Sequence, residues 1–150
     1  MIGCNKFILV DIDHTLSDAA WRDPMIGGEG GWDAYHAASI DDKPAEDVVG
    51  LINLLQRKRS LSIVGITARP EKWRNLTMSW LLKNSVFLDE LLMREDEDFR
   101  PAPALKIALA KQRFGETLTG VVAVLDDRDD VTAAFKSLNI TVLQVHGRKY

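Results

Sequence analysis

A chain of 150 residues, 46% hydrophobic and 27% charged, has the size and composition of one compact domain, which excludes a disordered or fibrous protein. Its formal net charge of −3 argues against an extended footprint on duplex DNA, because gripping many phosphates takes a basic surface. A small phosphorylated substrate or a nucleic-acid end stays compatible with that charge. No apolar run approaches the roughly 20 residues of a membrane span. The opening before Phe7 is too short for a secretory signal, and Cys4 is the single cysteine, so the expected location is the cytoplasm.

The first predicted strand, residues 7–10, runs directly into Asp11-Ile12-Asp13-His14-Thr15. In open α/β sheets, ligands bind beyond the carboxyl ends of strands. Two carboxylates so close together repel each other unless a cation or proton intervenes. A hard cation such as Mg²⁺ suits oxygen ligands, phosphate oxygens included, and one aspartate can then act as a nucleophile on phosphorus. Taken alone, the cluster reads equally well as an N-cap or turn, where Asp is common.

Residues 17–43 are too long for an ordinary connection, and the run Gly27-Gly28-Glu29-Gly30-Gly31 suggests a mobile loop, either a lid or a tolerated insertion. Trp21, Trp32 and Tyr35 in this segment either stack on a base or pack the insertion down. Behind Pro44, residues 45–57 read as a helix with Val48, Leu51, Ile52 and Leu55 on one stripe. A second strand at 61–66 ends in Thr67-Ala68-Arg69-Pro70, where Thr67 and nearby backbone N–H groups can meet a phosphate oxygen. Residues 71–82 then read as a helix with Trp73, Leu76, Trp80 and Leu81 facing inward.

A third strand at 88–93 leads to the acidic run 94–98, read as a solvated loop with Arg94 and Arg100 as candidate phosphate contacts. The helix over 104–114 ends at Gly115 and carries Lys106 at its start, placed to neutralise phosphate charge. A fourth strand at 121–125 ends in Asp126-Asp127-Arg128-Asp129-Asp130, a second acidic cluster on the same edge. Asp129 and Asp130 also suit the start of a helix over 129–138, and a fifth strand follows at 140–145. Strands alternating with helices in this way predict a doubly wound α/β sheet. His36 and His146 acquire no assignment from the sequence.

Asp11/Asp13/Thr15, Thr67, Lys106 and Asp126/Asp127 together resemble the four motifs of the haloacid dehalogenase (HAD) superfamily, in its usual order and over essentially the whole chain. The resemblance implies a three-layer αβα sandwich, a Rossmann-like parallel sheet of five strands in the order 3-2-1-4-5. It implies that Asp11 forms an aspartyl-phosphate and that Asp13 acts as general acid, then base. It also implies that Asp11, the Asp13 backbone carbonyl and the Asp126/Asp127 pair hold Mg²⁺, with Asp126 favoured as the direct ligand. An acid at position 13 favours phosphoester hydrolysis over dehalogenation, because the departing alcohol needs a proton.

The pieces Asp-Ile-Asp-His-Thr-Leu-Ser at 11–17, Gly31-Trp32-Asp33, Thr67-Ala68-Arg69 and Leu125-Asp126-Asp127-Arg128 look like the 3′-phosphatase domain of phage-type polynucleotide kinases. Gln144-Val145-x-Gly147 adds a weaker piece. That resemblance implies a substrate-phosphate role for Arg69 and places Arg100, Thr15, Trp32 and Asp33 on the substrate side. Related 5′(3′)-deoxyribonucleotidases share the four motifs, so a mononucleotide is the nearest rival substrate. A non-catalytic HAD-fold binding domain is a third reading, against which the retention of both Asp11 and Asp13 speaks.

Two departures stand out. Glu97-Asp98-Phe99-Arg100-Pro101-Ala102 keeps Asp98 and Arg100 of the family's Gly-Asp-x-Arg-x-Asp but has Ala102 for its last Asp. The insertion is read as lacking the arginine expected ahead of Trp32-Asp33, with Glu29 in that region instead. The expectation is one HAD-like domain over 1–150 with a small cap at 17–43, a Mg²⁺-dependent phosphomonoesterase acting on nucleic-acid 3′ ends. The resemblance leaves room for a separate kinase partner, whose existence the sequence does not show.

Overall fold

Short apolar runs become strands here because their side chains are buried on both faces of a sheet. The computed structural model describes residues 6–148, so Cys4 lies outside the described residues. Its strands are β1 (Lys6–Val10), β2 (Ser17–Asp18), β3 (Lys43–Pro44), β4 (Leu61–Pro70), β5 (Glu90–Arg94), β6 (Val121–Arg128) and β7 (Val142–Arg148). The helices are α1 (Gly31–Ala37), α2 (Glu46–Gln56), α3 (Arg74–Lys83), α4 (Ala102–Phe114) and α5 (Asp129–Ser137). The main sheet is parallel throughout in the order β5-β4-β1-β6-β7, which is the expected 3-2-1-4-5.

Side chains alternate across β1, so Ile8 and Val10 face one layer and Leu9 the other. On the first side Val48, Val49 and Ile52 of α2 and Trp80 and Leu81 of α3 pack with Ile63, Met93 and Leu125. On the second, Ala110 and Phe114 of α4 and Val131 and Phe135 of α5 pack with Val64, Ile66 and Val124. A Val, Leu, Ile, Phe or Met side chain among them, fully buried, contributes about 1.5–3 kcal/mol. No helix among the described residues is long and apolar enough to cross a membrane.

The stripe expected on α2 is shifted. Leu51 is 41% exposed and Val49 is buried in its place, because the helix presents 48, 49 and 52 to the sheet. Trp73 is not on α3 at all: it sits in a 3₁₀ turn, Glu71–Trp73, while Trp80 and Leu81 reach the core.

Residues 17–43, expected as a mobile loop, fold into regular pieces. β2 and β3 pair antiparallel and enclose a 3₁₀ segment, Ala20–Gly27, then α1 and a second 3₁₀ segment, Ala38–Asp41. The glycine run serves this path, since Gly30 and Gly31 take φ of 81° and 48° at the start of α1, a region that costs other residues about 1–2 kcal/mol.

Strands β4 and β6 run on past their apolar cores to take in Thr67–Pro70 and Asp126–Arg128. In both, the register slips over that stretch, between Ile66 and Pro70 and between Asp126 and Arg128. Such irregularities re-aim side chains, and here they fall at the carboxyl edge where β1 separates β4 from β6.

Candidate active site

Asp11 follows β1, and its backbone N–H donates to the Leu125 carbonyl of β6 at 3.0 Å, which seats it beside Asp126 and Asp127. The Lys106 ammonium lies between, 2.8 Å from Asp11 Oδ1 and 2.6 Å from Asp126 Oδ2. The Thr15 hydroxyl lies 3.5 Å from Asp11 Oδ2 and 3.4 Å from Asp127 Oδ1. The second Asp126 oxygen accepts the Arg128 N–H at 3.0 Å. Asp11, Asp126 and Asp127 are all buried, and one carboxylate oxygen from each lies within 4.8 Å of the others.

Three buried carboxylates around one ammonium are under-neutralised. Burial raises the Asp11 carboxyl well above its ordinary range, Lys106 opposes this, and the neighbouring charges of Asp126 and Asp127 add to it. Burial likewise raises Asp127, with Asp126 adding to the effect. Burial would lower Lys106, but Asp11 and Asp126 overturn that and hold it charged. This donor set fits a hard divalent cation, which takes carboxylate oxygens and supplies the missing positive charge.

Asp13 faces a different environment. The Arg69 Nε and Nη2 donate to its two oxygens at 3.0 and 2.6 Å, and Arg22 Nη2 also donates to Oδ1. Burial alone would raise the Asp13 carboxyl, but Arg69 first and Arg22 after it hold it far below the usual carboxylate range. Its side chain is thus committed to guanidiniums, which leaves the backbone carbonyl for the metal role implied by the resemblance.

Arg22 is the residue that sequence reasoning missed. It lies in the 17–43 insertion and is 0% exposed. Its Nε and Nη2 donate to Asp42 at 2.8 and 2.6 Å, its Nη1 donates to the Tyr35 carbonyl at 3.1 Å, and its Cζ stands 4.0 Å from the Tyr35 ring centroid. The insertion therefore does supply an arginine, from further upstream than expected. Asp42, also missed, accepts from Ser17 Oγ and Trp21 Nε1 at 2.9 Å each, while its carbonyl accepts from Trp80 Nε1 at 2.9 Å. One signal was available: Arg22 is the only arginine before Arg57.

These groups open onto a cleft of about 1020 Å³. Asp11, Asp13, Thr67, Lys106 and Asp127 line its floor, and Trp32, Asp33 and Arg100 stand in its walls. Thr15, Arg69 and Asp126 lie behind the floor, each no more than 1% exposed. The Arg69 guanidinium is held by Asp13 and, through Nη1, by Thr77 Oγ1 at 3.1 Å. Thr67 Oγ1 accepts the Arg69 N–H at 3.2 Å. Arg100 pairs with Asp98, and Arg94 Nε donates to the Ala68 carbonyl at 2.8 Å. Asp33 pairs with Lys72 at 2.7 Å.

The family model of the polynucleotide kinase PNKP phosphatase domain matches residues 5–150. The chain belongs to that family. It is accordingly a HAD-superfamily phosphatase, a hydrolase of phosphoric monoesters. Among solved structures, a chain of the Pnkp1/Rnl/Hen1 complex is 25% identical with a TM-score of 0.78, covering 100% of this chain and 48% of its own. A chain of the Pnkp1/Rnl/Hen1 RNA repair complex is 25% identical with a TM-score of 0.77, covering 97% and 43%. This chain thus spans less than half the length of those two relatives. The fold alone is shared with a predicted phosphoglycolate phosphatase from Haemophilus somnus 129PT, 14% identical with a TM-score of 0.66, covering 100% and 89%. No curated protein matches the sequence.

Proposed function

We propose that the chain is a Mg²⁺-dependent polynucleotide 3′-phosphatase that works through an aspartyl-phosphate on Asp11. The observation that carries this reading is the Asp11–Lys106–Asp126/Asp127 cluster beside Asp13 on the cleft floor. The family match and the RNA repair complex that holds one structural relative favour a nucleic-acid end over other phosphomonoesters. In this reading residues 1–150 form one HAD-like domain, and 17–43 caps its site.

An Asp11 oxygen attacks phosphorus, and the bond to the departing 3′-oxygen breaks. Asp13 hands its proton to that oxygen, releasing the 3′-hydroxyl end. Asp13 then takes a proton from water. The water oxygen attacks phosphorus, freeing inorganic phosphate and the Asp11 carboxylate. Lys106 opposes protonation of Asp11, and Thr67 offers its hydroxyl to an equatorial phosphoryl oxygen. A Mg²⁺ ion held by Asp11, the Asp13 carbonyl, Asp126 and Asp127 would supply Lewis-acid charge to the phosphoryl group.

Arg69 and Arg22 orient Asp13 and hold it ionised, a form suited to the base step. Arg69 lies behind the cleft floor, so a phosphate competes with Asp13 for it only once the guanidinium turns toward the cleft, and the Asp13 carboxyl then rises toward a range where it carries a proton. Arg69 would thereby serve both the phosphate and the acid.

Phosphate release from a matched panel tests the reading: a 3′-phosphorylated oligonucleotide, its 5′-phosphorylated twin, and 3′- and 5′-deoxymononucleotides, each with Mg²⁺ or EDTA. Preferential, EDTA-sensitive release from the 3′-phosphorylated oligonucleotide is expected. Preference for the mononucleotides would move the chain to nucleotide metabolism and overturn the end-processing role.

A further inference from the structure

Two aromatic side chains line the same cleft as Asp11, and the chemistry at its floor uses neither. Trp32, in α1, is 59% exposed, and Phe99, between β5 and α4, is 84% exposed. Single exposed aromatics are ordinary on protein surfaces. These two differ in how firmly each is presented to the same space.

Trp32 stacks on the His36 ring at 5.8 Å between centroids and 25° between planes, and meets the Tyr35 ring edge-on at 5.4 Å. Both supporting rings are buried. Phe99 rides a pinned loop. Arg94 Nη1 donates to the Asp98 and Arg100 carbonyls at 2.6 and 2.9 Å, and the Asp98 carboxylate accepts the Arg100 N–H at 3.0 Å. Lys72 ties the two walls together. Its Nζ pairs with Asp33, beside Trp32, at 2.7 Å, and its backbone N–H donates to Asp96 of the Phe99 loop at 2.9 Å.

The rest of the mouth offers little to a run of phosphates. Asp23, Asp96 and Glu97 line it, and its cations are drawn to other groups: Lys72 to Asp33, Arg100 to Asp98, Arg128 to Asp130. Affinity for a polynucleotide end must then come from its terminal nucleoside more than from its backbone. Stacking suits that task, because every base has a π-face.

We propose that Trp32 and Phe99 are the two walls of a stacking clamp for the nucleobase of the terminal nucleotide, with Lys72 setting their separation. The proposal rests on the 3′-phosphatase reading above and adds the residues that select a nucleoside over a bare phosphate ester.

The test compares kcat/KM for a 3′-phosphorylated oligonucleotide with that for a twin whose terminal sugar lacks a base. The native protein is expected to prefer the base-bearing end by about 5- to 100-fold. Trp32→Ala and Phe99→Ala should each erode that ratio through KM, whereas Trp32→Phe and Phe99→Tyr should retain most of it. Turnover of both ends with a native ratio near one, or a ratio that neither alanine variant moves, would overturn the clamp alone. Absence of turnover on both ends with Mg²⁺ present would overturn the phosphatase reading and the clamp with it.

Discussion

Asp13 and its two guanidiniums tie the insertion to the chemistry through single side chains. Arg22→Met would leave buried Asp42 without its main partner, a loss of about 3–5 kcal/mol, and would free Asp13 from one of its two restraints. Urea unfolding should show the destabilisation and phosphate release a lower kcat; a variant with native stability would contradict the account. His36 makes a separate prediction. Burial pushes its imidazole from 6.5 down to about 4, so below 6.5 the unfolded chain binds a proton that the folded chain refuses. His36 therefore removes stability as pH drops through that window, by up to about 2 kcal/mol between pH 7 and pH 5, while the raised Asp11 and Asp127 carboxyls act the opposite way. Asp13 acts in the same direction as His36, but only within and below the usual carboxylate range. His36→Gln should flatten the dependence between pH 7 and pH 5, and an unchanged slope would refute the assignment. At this scale Asp11, Thr67 and Asp126 were legible because each follows an apolar strand run. Arg22 and Asp42 were not, because their meeting with Asp13 depends on the path of the whole insertion and has no local period.

The insertion shows where element-level reading succeeds and fails. Its position after β1 and its aromatic content were evident, yet its glycines suggested mobility where they provide the left-handed turns that start α1. Gly30 has φ of 81°, and a Cβ there would stand 3.1 Å from that of Ala34. Gly30→Ala should cost about 1–2 kcal/mol, read as a lower unfolding midpoint; unaltered stability would show that α1 tolerates another path. The α2 stripe misled for a different reason. Val48, Ile52 and Leu55 face the core as the stripe has them, but Leu51 fits a 3.6-residue period as well as Val49 does, and only the sheet decides which of the two is covered. The strand ends were underestimated because the residues of Thr67–Pro70 and Asp126–Arg128 carry little apolar signal, while Pro70 and Arg128 still pair with Arg94 of β5 and Arg148 of β7 beyond a register shift.

Across the whole molecule, five strands in the order β5-β4-β1-β6-β7 bring residues far apart in sequence to one edge. Ligands gather at such a switch point, and that much could be read from the alternation of elements and the four motifs. What the cleft accepts could not, because its walls come from the insertion and from the loop before α4. A cluster of three carboxylates should respond to metal independently of catalysis. Mg²⁺ at a hundredfold excess over Kd should stabilise the fold by about 2.7 kcal/mol, seen as a higher Tm than in EDTA and lost in Asp126→Asn. Equal Tm values under both conditions would remove the metal from Asp126.

On the proposed mechanism the phosphoryl group passes through Asp11. Acid quenching during turnover of a 3′-end carrying radiolabelled phosphate tests it most directly. Hydroxylamine-labile label is expected on the peptide containing Asp11, and none on Asp11→Asn, whose kcat should fall by at least ~10⁴-fold. An Asp11→Asn protein that still turns over at the native rate, with no labelled intermediate in either protein, would contradict it.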